Sequence, residues 1–279
     1  MKIHSPWLLF IALLSIVFSP VILAAPSTIL IQSGQKIGFL GDSITQQGNA
    51  PTGYIMLVIA GLKSEGIDAT AIPAGMSGHT SGNMNNRVDH DVLSQGADWM
   101  TVSCGVNDIA LQKKGFGVDL ENYKKNVTSI LDQANAKKVK VVLLTATPIG
   151  EDPNSPENQM QIGYNQFLRD TAKERNLPLA DVNAAFWEVI KAHPGPIGLP
   201  AQYNQGRLLA DGIHPNVDGQ RIMAETVLLT LGVPKDDLPK LEETWPKTRE
   251  PRHKSVAAPT PETTNTTVTP ATPSSTPNP

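Results

Sequence analysis

The chain has 279 residues, 40% of them hydrophobic and 18% charged, with a formal net charge of -3 at pH 7. That length and apolar content allow one sizeable core, and so slight an acidic balance gives no positive field for a nucleic-acid backbone, which excludes nucleic acid as an expected partner. Cys104 is the only cysteine and the six histidines are scattered, so no internal disulfide and no zinc signature is expected.

The first residues read MKIHSPWLLFIALLSIVFSPVILAAPS: an early lysine, an apolar run over residues 7–18, a proline, and small residues at Ala24 and Ala25. This is the pattern of an export signal. It is expected to occupy residues 1–25, with cleavage near Ala24 or Ala25, giving a secreted or periplasmic protein. The competing reading is an uncleaved N-terminal membrane anchor. Against it, the unbroken apolar run is shorter than the roughly 20 residues that cross a bilayer, so no stable span is expected in the mature chain.

A single folded domain is expected over residues 26–234. Its first strand, residues 36–40, runs into Gly41-Asp42-Ser43, and a serine there admits two readings. It can cap the following helix, or it can present a hydroxyl where open α/β sheets bind their ligands. A helix over residues 53–64 and a strand over 69–72 lead to GMSGHT, Gly75 to Thr80. Next come a helix over 81–93 and a strand over 99–103 that ends before GVND, Gly105 to Asp108. The helix over 119–136 carries the clearest apolar stripe, Tyr123, Val127, Ile130 and Leu131. A strand over 139–145, a helix over 157–175 and a strand over 177–180 follow, then DGIHP, Asp211 to Pro215, and a last helix over 217–231. Strands alternating with helices predict a parallel sheet covered on both faces, a three-layer α/β/α sandwich with its strand carboxyl ends at one edge. Residues 235–279, first charged and then rich in threonine and proline, are expected to form a disordered tail.

The four polar blocks GDSIT, GMSGHT, GVND and DGIHP, in that order along residues 36–233, resemble the signature blocks of the SGNH hydrolases, the GDSL esterase and lipase family. The resemblance implies a flavodoxin-like α/β/α fold and hydrolysis of carboxylic esters without a cofactor or metal. It further implies Ser43 as nucleophile, His214 as general base and Asp211 as its orienting partner. The backbone N–H groups of Ser43 and Gly78 and the Asn107 amide would form the oxyanion hole. Isoleucine replaces the leucine of the first block, and Pro73 stands where the second block often has asparagine.

Such residue types suit the chemistry. An imidazole near neutrality accepts a serine proton and returns it to the leaving alcohol, while a carboxylate three residues away fixes its tautomer. His79 is a candidate substrate contact beside the oxyanion loop, Ser77 a loop hydroxyl, Cys104 a buried hydrophobe and His90 a solvated surface residue. Asp42 and Asp108 are expected to brace their loops. Amides in the expected rim (Gln46, Gln47, Asn49; Asn83, Asn85, Asn86; Asn158, Gln159, Gln161; Gln202, Asn204, Gln205) suit sugar hydroxyls. The expected substrate is therefore a short-chain, acetyl-type ester on a carbohydrate or small polar molecule. An acyltransferase, a lysophospholipase or thioesterase of the same family, and a non-catalytic carbohydrate-binding module are the alternatives. Oligomeric state is left open.

Overall fold

A computed structural model describes residues 29–192 and 208–246. Five strands, β1 (Lys36–Gly41), β2 (Thr70–Gly75), β3 (Trp99–Ser103), β4 (Lys140–Leu144) and β5 (Leu179–Ala180), form one sheet in the order β2-β1-β3-β4-β5. Every pairing is parallel, and Gly75, Gly41, Ser103, Leu144 and Ala180 pair in sequence across the carboxyl edge. The expected flavodoxin-like order is thus present. The chain leaves β1 for β2 on one side and returns to β3 on the other, which opens a crevice at the carboxyl ends of β1 and β3.

The nine helices among the described residues are α1 (Ser43–Gly48), α2 (Tyr54–Ser64), α3 (Ser81–Asp91), α4 (Val106–Ala110), α5 (Leu120–Ala136), α6 (Pro156–Arg175), α7 (Val182–Ala192), α8 (Val217–Thr230) and α9 (Leu238–Thr244). Because side chains alternate along a strand, each strand feeds two cores. Ile37, Phe39, Val142 and Leu144 pack with apolar residues of α2, α7, α8 and α9. Leu40, Met100, Val102, Val141 and Leu143 pack instead with α3, α5 and α6, including all four residues of the predicted stripe on α5.

The expected domain end at residue 234 falls short. Beyond it lie a short 3-10 turn, Lys235–Asp237, and then α9. Leu238, Leu241 and Trp245, at helical spacing, are 7%, 0% and 2% exposed and join the first core. The charged residues among them face away from that core and hid the stripe. The expected export signal and the Thr/Pro-rich part of the tail, from residue 247 on, lie outside the described residues. No helix among those described is long and apolar enough to cross a membrane.

Candidate active site

Strand β1 delivers Gly41, Asp42 and Ser43 to the crevice. Asp42 is the N-cap of α1, its carboxylate accepting from Ile44 N–H at 2.9 Å, so the turn is fixed by the residue before the serine. Ser43 opens the helix at 9% exposure. The capping reading of the serine is therefore not met, because Asp42 does the capping, while Ser43 places its hydroxyl at the carboxyl end of β1.

On the other side of the site, Asp211 to His214 form the tip of a narrow loop. Its base is closed by an antiparallel bridge between Leu209 and Pro215 and by Ala210 N–H donating to His214 O at 2.8 Å. One Asp211 oxygen accepts the N–H groups of Ile213 and His214 at 3.0 and 2.8 Å, and the other meets His214 Nδ1 at 2.7 Å. The i,i+3 spacing thus lets one carboxylate shape the turn and orient the ring. His214 Nε2 lies 2.8 Å from Ser43 Oγ, joining residues 171 positions apart. Partial burial works against the Asp211 charge, but bonds from His214 N–H, the His214 ring and Ile213 N–H outweigh it and hold the carboxyl down at about 2.

Gly78 and Asn107 approach from β2 and β3. Residues Met76 to His79 form a turn closed by His79 N–H to Met76 O at 3.3 Å, with Gly78 at φ +76°. Only glycine takes that conformation without strain. Gln46 of α1 anchors the turn, its carbonyl accepting both the N–H and the hydroxyl of Ser77 at 2.9 and 2.7 Å. Asn107, in α4, donates one amide hydrogen to His79 O at 3.1 Å and retains another. Asp108 accepts from Ser81 N–H and Oγ, binding the start of α3 to α4. Its burial pushes its pKa up. Cys104 is 2% exposed, and burial raises its thiol pKa, which suits a packing role.

The expected rim amides divide. Asn158 exchanges hydrogen bonds with Ile149 N–H and O and also donates to Asp152 O, Gln161 donates to Thr147 O, and Asn83 accepts from Thr80 N–H and Oγ. These side chains shape backbone, as does exposed Gln159, which donates to Pro153 O at 2.8 Å, while Gln47, Asn49 and Asn86 are exposed and Gln202, Asn204 and Gln205 lie outside the described residues. Three residues of importance to the site went unread in the sequence. Gly150 N–H donates to Gly212 O at 2.6 Å, and Glu151 accepts from Leu208 and Leu209 N–H at 2.8 and 3.0 Å, so the loop after β4 supports the Asp211–His214 loop. The third is Arg87, the one arginine of α3. Depressions of about 800 and 450 Å³ lie elsewhere, and neither is lined by Ser43 or His214. Among the described residues no group of three or more His, Cys, Asp or Glu could hold a metal ion.

The acetylxylan esterase of Geobacillus stearothermophilus is 28% identical over 221 residues, 72% of this chain and 96% of that enzyme. Its crystal structure matches with a TM-score of 0.63 over 73% of this chain and 96% of that one. Variants of that enzyme described as catalytic alter a serine, an aspartate and a histidine, the last two at the spacing of Asp211 and His214. The Bacillus subtilis lipoprotein YqeF is 25% identical over 173 residues, 55% of this chain and 70% of that one. An α/β hydrolase from the metagenome of Lake Arreo, 23% identical with a TM-score of 0.64 over 74% of this chain and 99% of that one, shares the fold. The model of the GDSL-like Lipase/Acylhydrolase family matches residues 39–222. That match runs from within β1 to within α8 and takes in both Ser43 and His214: the chain belongs to the GDSL-like lipase/acylhydrolase family and is a carboxylic ester hydrolase of the SGNH type.

Proposed function

We propose that this protein is an exported esterase that removes acetyl or other short acyl groups from a carbohydrate through an acyl-serine intermediate on Ser43. The observation that carries the mechanism is the continuous chain from Asp211 through His214 to Ser43, with contacts of 2.7 and 2.8 Å. His214 Nε2 takes the Ser43 proton as Oγ attacks the ester carbonyl, while Asp211 holds Nδ1–H and stabilises the imidazolium. The oxyanion of the tetrahedral intermediate is met by the N–H groups of Ser43 and Gly78 and by the free amide hydrogen of Asn107. Each such donor supports about 3–4 kcal/mol of transition-state stabilisation. Collapse expels the sugar alkoxide, which takes the proton from His214. Water, activated by the same imidazole, then attacks the acyl-serine to release the carboxylic acid and restore the serine.

The substrate class rests on the relation to the acetylxylan esterase over nearly the whole of that enzyme. Export rests on the signal pattern of residues 1–25, and relation to a lipoprotein supports it. Release of acetate from acetylated xylo-oligosaccharides, with p-nitrophenyl acetate hydrolysed faster than long-chain esters, is the expected activity. Ser43→Ala should lower it by about 10⁴-fold or more. Equal turnover by that variant, or a preference for long chains, contradicts the reading. N-terminal sequencing of exported protein should find a chain that starts just after Ala24 or Ala25, and an intact Met1 would argue for the anchor.

A further inference from the structure

Arg87, on α3, has a side chain only 11% exposed, although arginine is ordinarily a surface residue. Its guanidinium faces four acceptors from separate parts of the chain. Nη2 donates to Gly41 O at 2.8 Å, Nη1 to Ala74 O and Asp91 Oδ2, both at 2.8 Å, and Nε to His79 Nδ1 at 3.0 Å. A guanidinium only donates and stays charged, so His79 Nδ1 is the acceptor and the ring proton sits on Nε2. Burial, and then the charge of Arg87, lower the His79 pKa, in the same sense as the unprotonated Nδ1 that this contact requires.

These acceptors lie next to the oxyanion donors. Gly41 O ends β1, two residues before Ser43, and His79 directly follows Gly78. The His79 carbonyl in turn holds the Asn107 amide at 3.1 Å. We propose that Arg87 is a positioning residue that ties the Ser43, Gly78 and Asn107 donors into one frame before substrate arrives. An arginine that served only α3 would need Asp91, its i,i+4 partner, and would leave the strand carbonyls and the His79 ring unexplained. Donors fixed in advance do not reorganise as charge develops, so a loosened frame weakens the transition state more than ground-state binding.

The inference rests on the Ser43 mechanism, so Ser43→Ala is assayed beside Arg87→Ala and Arg87→Lys. Lysine keeps a charge within reach of Asp91 but lacks the planar fork that serves four acceptors. Both Arg87 variants should lower kcat on p-nitrophenyl acetate by about 10²-fold with KM within about twofold. Millimolar guanidinium should restore part of the Arg87→Ala activity. In ¹⁵N-histidine spectra, the His79 ring should change from the Nε2–H tautomer to a tautomer mixture that titrates nearer to ordinary histidine. If Arg87→Ala does not fold, Arg87→Lys decides by the same criteria. Folded variants with kcat within about threefold of the wild type overturn the inference, as does an unchanged His79 tautomer. Equal turnover by wild type and Ser43→Ala would instead overturn the reaction reading and the inference with it.

Discussion

Two carboxylates beside the serine and histidine respond to pH in opposite ways. Asp42, 2% exposed, is pushed up from 3.8 to about 6 by burial, against the pull of the Ile44 N–H and helped by the nearby charge of Asp108. Asp211 is held down at about 2 by its hydrogen bonds, which outweigh its own desolvation. A carboxyl raised on folding stabilises the protein below its unfolded pKa, and that contribution disappears as pH rises through the folded one. For Asp42 the window runs from 3.8 to about 6. Full passage through it costs about 3 kcal/mol at roughly 1.4 kcal/mol per pH unit. Asp211 contributes in the other sense: its stabilisation holds above 3.8 and is lost as pH falls toward 2. Its side chain is 57% exposed, which keeps that contribution small. Asp42→Asn retains an acceptor for Ile44 N–H and removes the titration. Calorimetric Tm measured from pH 4 to pH 7 should therefore fall with pH more steeply in the wild type than in the variant. Parallel curves would mean that Asp42 is not the group responsible.

Among the elements, α9 is the one whose contribution runs against its composition. Its flanks are charged, yet Leu238, Leu241 and Trp245 close the core over α2 and α8. Trp245→Ala should destabilise the protein by about 3–5 kcal/mol, the cost of emptying a large buried site, read as a lowered midpoint in urea unfolding at unchanged slope. A loss below about 1 kcal/mol would mean that the helix is only loosely attached. The short helices α1 and α4 differ in kind. Six and five residues long, they are held by their neighbours, and α1 also by its Asp42 cap, more than by their own propensity, and they carry Ser43 and Asn107.

At the scale of the whole molecule, what could be read in the sequence was whatever repeats locally. Val141 to Leu144 alternate between the two cores, and Tyr123, Val127, Ile130 and Leu131 recur at helical spacing, so strands, long helices and the three-layer arrangement were legible. The site was legible where a residue's task is set by its neighbours in sequence, as in the turn that Asp211 makes around His214. Tasks set across the fold left no local mark. Arg87 is defined by carbonyls on β1 and β2, Glu151 by the N–H groups of Leu208 and Leu209, and α1 and α4 are too short to show a period. The separation of 171 positions between Ser43 and His214 also has a temporal side. A growing polypeptide carries Ser43, the proposed nucleophile, long before it acquires His214, the proposed base. On the proposed mechanism, a polypeptide released from the ribosome before His214 is made lacks the base that activates Ser43 and should be inert toward esters, so enzymatic competence waits on a contact of long sequence separation.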